Sequence, residues 1–126
     1  MIKVTMPREY SSQETCPIAR TLDIVGDRWT LLVLRDISRG YTRYNELLAS
    51  CEGISTNLLS DRLKKLEDRG FIERELYSDH PPRADYLLTE RGRDFGPVLR
   101  ALYQWGTTHE PRGTDRALAE QSRKRA

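Results

Sequence analysis

The sequence predicts a mainly α-helical domain that carries one small β-hairpin, and three observations predict it. Apolar residues recur at helical spacing in four successive segments up to Leu66. From Phe71 the period changes to two short strand-like runs with Pro81-Pro82 between them. Helical spacing then resumes from Thr89 to Trp105. At 126 residues and 37% hydrophobic, the chain has the size of one domain with one modest core. A core that small leaves some helices in need of a second subunit to cover them.

Residues 1–14 are polar and lack a helical pattern, so they read as a flexible arm; the domain spans residues 15–106, and 107–126 is a polar tail. Pro17 suits the first turn of a helix, because a helix start leaves its N–H groups unpaired in any case. Ile18, Leu22 and Val25 follow at helical spacing, and Gly26 stops the run. Asp27 is an N-cap for the second helix. There Trp29, Leu31, Leu32, Val33, Leu34 and Ile37 are apolar almost all round, which marks a buried spine ending at Gly40. Thr42 caps a short third helix through Tyr44, Leu47 and Leu48, and Cys51-Glu52-Gly53 forms a turn. Ser55 caps a fourth helix with Leu59, Leu63 and Leu66 on one face, closed by Gly70 at the C′ position. Strands are expected over Phe71–Tyr77 and Ala84–Thr89. Residues Ser78 to Arg83 form the tip, since paired prolines cannot donate to a ladder. Thr89-Glu90 opens one last long helix, kinked where Gly96-Pro97 falls inside it.

Two short helices joined by a tight turn and followed directly by a hairpin make a winged helix-turn-helix, whose second helix enters the major groove of DNA. With Leu59, Leu63 and Leu66 buried, Asn57, Ser60, Asp61 and Lys64 fall on the opposite side of the fourth helix, flanked by Thr56, Arg62 and Lys65. Asn bridges adenine, Asp accepts from the cytosine amine, and Ser or Thr serve either role. Arg and Lys hold phosphates. Ser55 stands at the start of this helix, and Thr42, Arg43 and Tyr44 start the helix before it, where free N–H groups suit a phosphate. Arg83 and His80 at the wing tip are placed to reach the adjacent minor groove. The competing readings are a solvated amphipathic face, a plain helix cap and a loop kept soluble.

The net charge is only +2, from 21 Lys and Arg against 19 Asp and Glu. Any basic surface is therefore local rather than global. No run approaches the ~20 apolar residues of a membrane span, and the start carries no secretory pattern. A cytoplasmic protein with no membrane partner is expected. Cys16 and Cys51 form neither a metal-ligand spacing nor a CxxC pair, so no metal and no cofactor are expected. The two histidines stand beside no nucleophile motif, and glycine-rich phosphate loops and HExxH are absent, which argues against an enzyme.

The chain resembles the HxlR-type winged-helix regulators. Cys16-Pro17-Ile18, Gly26 to Thr30, Arg43 to Leu47, Gly53-Ile54-Ser55, Leu59 to Glu67, Pro81-Pro82-Arg83 and Tyr86 to Gly92 carry the resemblance, in order, from about Cys16 to Trp105. It implies a dimeric repressor or activator of transcription, acting on a double-stranded DNA operator and dimerising through its first and last helices. Ile18, Leu22, Leu99, Leu102, Tyr103 and Trp105 supply the apolar stripes for that interface, with packing inside one chain as the alternative. Some members sense oxidants or electrophiles through the cysteine that Cys16 matches, which makes Cys16 a candidate thiol sensor. A helix start favours the thiolate. Cys51 departs from the proline that often stands in the turn. The alternative function is a winged-helix adaptor or antirepressor that contacts protein. Trp29, Tyr103 and Trp105 are candidates to line an effector pocket but read more simply as core, and no effector is identified.

Overall fold

The computed structural model describes residues 15–112. The arm over residues 1–14 and the tail from residue 113 lie outside the described residues. The elements are α1 (Pro17–Val25), α2 (Thr30–Ser38), α3 (Tyr44–Ser50), α4 (Thr56–Asp68), β1 (Ile72–Asp79), β2 (Pro82–Leu88), α5 (Glu90–Arg93) and α6 (Gly96–His109). They fall into two units that divide between Arg93 and Asp94. The first is a winged helix-turn-helix. The second contains α6.

In the first unit the core is built from one face of each element. Val33, Leu34 and Ile37 of α2 are buried, with Leu47 of α3, the three leucines Leu59, Leu63 and Leu66 of α4, and Phe71 and Ile72 at the entry to β1. α2 packs against α1, α3, α4 and β2, which makes it the spine that its apolar sequence announced. Each buried leucine contributes about 1.5–3 kcal/mol relative to exposure.

Local signals set the boundaries. Ser55 Oγ accepts from the Leu58 N–H at 3.1 Å and starts α4. At the other end Gly70 takes φ +78°, its N–H donates to the Glu67 carbonyl, and the Phe71 N–H donates to the Leu66 carbonyl. That paired 5→2 and 6→1 arrangement turns the chain from α4 into β1. β1 and β2 pair antiparallel from Ile72–Leu88 to Asp79–Pro82. Gly92 has a different reason to be glycine: a Cβ there would run into the Phe71 carbonyl oxygen, so only glycine lets α5 lie this close to the start of β1.

Three expectations are corrected. The third helix is capped at Arg43, whose N–H donates to Glu46 Oε1 at 3.1 Å. Thr42 is drawn away from the cap because its backbone runs alongside β2. Its carbonyl accepts from the Tyr86 N–H at 2.7 Å, and its hydroxyl donates to Asp85 Oδ1 at 2.9 Å. The strands are longer than predicted, and the tip shrinks to His80-Pro81. Pro82 opens β2, a position a proline tolerates, and a bulge between Leu76 and Ser78 absorbs the extra residue. The single long helix after Thr89 is two, α5 and α6. Pro97 within a continuous helix would leave the Arg93 carbonyl without a donor. In the first turn of α6 its missing N–H costs nothing. α6 also runs on to His109, three residues past the expected domain end.

Candidate nucleic-acid interface

The turn between α3 and α4 is short and firmly held. Cys51 closes α3, Gly53 takes φ +96° in the left-handed region, and Ile54 is buried. The Tyr44 hydroxyl donates to the Thr56 carbonyl at 2.9 Å and lies 3.3 Å from Ser60 Oγ, which ties the start of α3 to the first turn of α4. Tyr44 and Ser60, both singled out for DNA, thus meet each other.

With its leucines inward, α4 exposes Ser55, Thr56, Asn57, Ser60, Asp61 and Lys64. Asn57, Ser60, Asp61 and Lys64 recur at i, i+3, i+4 and i+7, so they form one row along the helix. Arg62 and Lys65 are placed differently. Their side chains are 21% and 13% exposed and turn toward Asp27, at the entry to α2, with N···O distances of 3.1 and 3.3 Å. Arg62 also reaches Asp61 at 2.6 Å. No spacing rule joins residues 35 and 38 positions apart, so sequence reading had no signal for Asp27.

Asp85 on β2 is the second partner that sequence reading missed. It accepts from Thr42 and from Arg43 Nε, at 2.9 and 3.2 Å, and so fastens the start of α3 to the wing. The Arg43 guanidinium stacks 4.0 Å from the centre of the Tyr77 ring. Between α3 and the wing lies a groove of about 580 Å³, lined by Arg43, Arg74, Arg83, Tyr44, Tyr77 and Tyr86 among others. Arg74 joins the two arginines already singled out. It stands on β1 opposite Tyr86. Arg83 is exposed, beside the hairpin tip, as is His80.

The two cysteines differ. Cys16 is half-buried at the N-cap position of α1, and its side chain makes no capping bond. Cys51 is buried, and its thiol donates to Asp36 Oδ2 at 3.2 Å. Burial and the neighbouring Asp36 carboxylate push the Cys51 thiol up to about 11, so it is protonated at neutral pH. Asp36 is itself fully buried. Burial works to raise its pKa, but hydrogen bonds from Arg35, Ser50 and Cys51 and the Arg35 charge outweigh it and hold the carboxyl below its ordinary value.

Two helices carry apolar side chains left in solvent. Ile18 is 71% exposed and Leu22 is also exposed, both on α1. α6 has no buried residue; Val98, Leu102, Tyr103 and Trp105 are exposed, and Leu99 is half-buried. Tyr103 and Trp105 therefore do not act as core. Among the described residues no helix is long and apolar enough to cross a membrane, and no three metal-ligating side chains gather.

The HxlR-like helix-turn-helix family model matches residues 24–114. An uncharacterized HTH-type transcriptional regulator of Synechocystis sp., sll1512, is 40% identical over 98 residues, which is 78% of this chain and 73% of that protein. Another from Bacillus subtilis, YybR, is 34% identical, over 79% of this chain and 80% of that one. Among solved structures, the redox regulator HypR in its oxidized form superposes with a TM-score of 0.69 at 34% identity, covering 75% of this chain and 97% of HypR. The reduced form of YodB from B. subtilis gives 0.63 at 28% identity, covering 75% and 93%.

Proposed function

Because the chain belongs to the HxlR-like helix-turn-helix family of transcriptional regulators, we propose that it binds operator DNA as a homodimer and reads it with α4. The family is one of regulators, not enzymes. The observation that carries the reading is the exposed row Asn57, Ser60, Asp61 and Lys64, backed by a fully buried leucine face. A helix presented in this way offers base-reading groups at its N-terminal half. Arg43, Arg74 and Arg83 around the wing groove hold the flanking backbone. The exposed stripes of α1 and α6, with Ile18, Leu22, Leu99, Leu102, Tyr103 and Trp105, form the dimer interface.

Fluorescence anisotropy on the upstream intergenic DNA, with random DNA as competitor and at several salt concentrations, tests this. The wild type is expected to bind selectively and to weaken steeply with salt. Asn57→Ala is expected to reduce discrimination at one base position by about 5- to 150-fold, from the ~1–3 kcal/mol of a bidentate contact. Arg83→Ala is expected to weaken binding to all sequences alike and to lower the salt slope by about one. A folded protein with no salt-sensitive DNA binding overturns the reading in favour of a protein-contacting adaptor.

Cys16 makes this regulator thiol-responsive. The support is its half-exposed place at a helix start, its contrast with the buried Cys51, and the likeness to HypR, which is described as a redox regulator. Diamide is expected to change operator affinity of the wild type and to leave Cys16→Ser unaffected. Equal behaviour of the two proteins removes Cys16 as the sensor.

A further inference from the structure

Asp27 lies outside the helix-turn-helix, yet it is the point on which α4 is held. Its Oδ1 accepts from the Trp29 and Thr30 N–H groups at 2.9 and 3.0 Å, and its Oδ2 accepts from the Thr30 hydroxyl. These bonds fix the carboxylate at the entry to α2. From there it accepts from Lys65 Nζ at 3.3 Å and faces Arg62 Nε at 3.1 Å, an ion-pair contact without hydrogen-bond geometry, the two cations lying one turn apart on α4. Burial works to raise the Asp27 pKa, but the Thr30 hydroxyl, the two backbone donors and the Arg62 charge overcome it, so the carboxyl lies far below its ordinary value and is ionised throughout the working range. The neighbouring Trp29 is buried, with its ring 3.8 Å from where a Cβ on Gly53 would stand. The junction between α1 and α2 thus touches both the turn and the second helix of the reading motif.

The charge balance gives this arrangement a function. Residues 61–65 carry three cations, and free they would draw α4 to any phosphate. Asp27 and Asp61 occupy two of them, Arg62 and Lys65, and leave Lys64 exposed beside Asn57 and Ser60. A phosphate cannot take Lys65 while its amine is turned inward to a partly buried carboxylate. Attraction to DNA backbone is indifferent to sequence, whereas base contacts depend on the angle at which the helix enters the groove.

We propose that Asp27 is a positioning residue for DNA reading: by gripping Arg62 and Lys65 it fixes the seat of α4 and withholds two cations from non-specific phosphate contact. This rests on the reading of α4 as the helix that enters DNA. It assigns Arg62 and Lys65 to the seat of the helix in place of the phosphate role that their residue types suggest.

The test compares wild type, Asp27→Asn and the double variant Arg62→Gln/Lys65→Gln on operator and random DNA across a salt series. Asn keeps an oxygen to cap α2 but loses the charge. Asp27→Asn is expected to bind random DNA more tightly, with a salt slope steeper by about 0.9 for each cation released. Its ratio of operator to random affinity is expected to fall by about tenfold or more. The double variant is expected to lose operator selectivity with the wild-type slope, and its folding is checked by circular dichroism. A merely structural cap predicts that both affinities of Asp27→Asn fall together with the slope unchanged, and that result overturns the proposal. A slope lower by about two in the double variant also overturns it, since both side chains would then be phosphate contacts. Carbon-13 titration of the Asp27 carboxyl separates this from failure of the DNA reading. A pKa that rises in the double variant reports the grip without DNA, and an unchanged pKa shows there is none. A wild type that binds no DNA selectively overturns the DNA reading, and the role of Asp27 with it, even where the grip is present.

Discussion

Replacing Leu102 and Trp105 together by aspartate is expected to convert the proposed dimer to monomers and to lower the affinity for the proposed operator by about 100-fold or more. Val98, Leu102 and Trp105 recur at i, i+4 and i+7 on α6, and Trp105 is 60% exposed. An apolar stripe of this kind in water is the mark of an interaction surface. Two charges placed on it bring carboxylates into what would be a desolvated contact, and burying an unpaired charge is prohibitive. The loss of affinity follows from geometry. A dimer that holds two copies of α4 makes the second half-site contact intramolecular, and that avidity amounts to about 10²–10⁴. No residue of α6 is buried, so the substitution removes no side chain from a core. Sedimentation gives the mass, circular dichroism the fold, and anisotropy the affinity. A variant that stays dimeric with full affinity places the interface elsewhere.

Asp36→Ala is expected to cost about 3 kcal/mol and to lower the melting temperature by roughly 10–20 °C for a domain of this size. Asp36 takes Arg35 through both oxygens, at 2.8 and 3.1 Å, and the Cys51 thiol at 3.2 Å, so it joins α2 to the turn between α3 and α4. Removing a partner from a buried pair costs more than the pair contributes, because the donors left behind are stranded. Arg35 is one-third exposed and regains some water, which places the cost at the lower end for such pairs. The same cluster is expected to contribute to loss of stability at alkaline pH. The Cys51 pKa is raised in the folded state, from 9.0 to about 11. Its contribution is complete below pH 9 and is lost as pH rises toward 11, where the unfolded chain gives up the proton first. Urea unfolding across that range is expected to show the loss in wild type and a flatter dependence in Cys51→Ala. For Asp36, with its pKa depressed, the sign is reversed: stability is present above the ordinary carboxylate value and declines as pH falls below it. A melting temperature of Asp36→Ala within a few degrees of wild type would show that the buried carboxylate contributes nothing.

The sequence by itself determined the order of elements from α1 to β2 and the faces that α1 to α4 turn inward, but not the split of the last helix into α5 and α6. Periodicity found α1 to α4 because each must bury a stripe to exist, and Ser55 started α4 while Gly40 and Gly70 closed α2 and α4, because capping is local chemistry. It determined the exposed row Asn57, Ser60, Asp61 and Lys64 for the same reason, since one buried face of a helix defines the other. Only the tertiary structure decided which charged side chains are free. Arg62 and Lys64 are both cations two positions apart, yet one is turned to Asp27 and the other stands exposed. Thr42 looked like a cap until Asp85, 43 residues away, took its hydroxyl. Cys16 and Cys51 are the same residue type, separated by a carboxylate from α2 that burial forces into contact with one of them. Local rules reach about one helical turn along the chain, whereas an ion pair is chosen by whatever the fold brings within 4 Å.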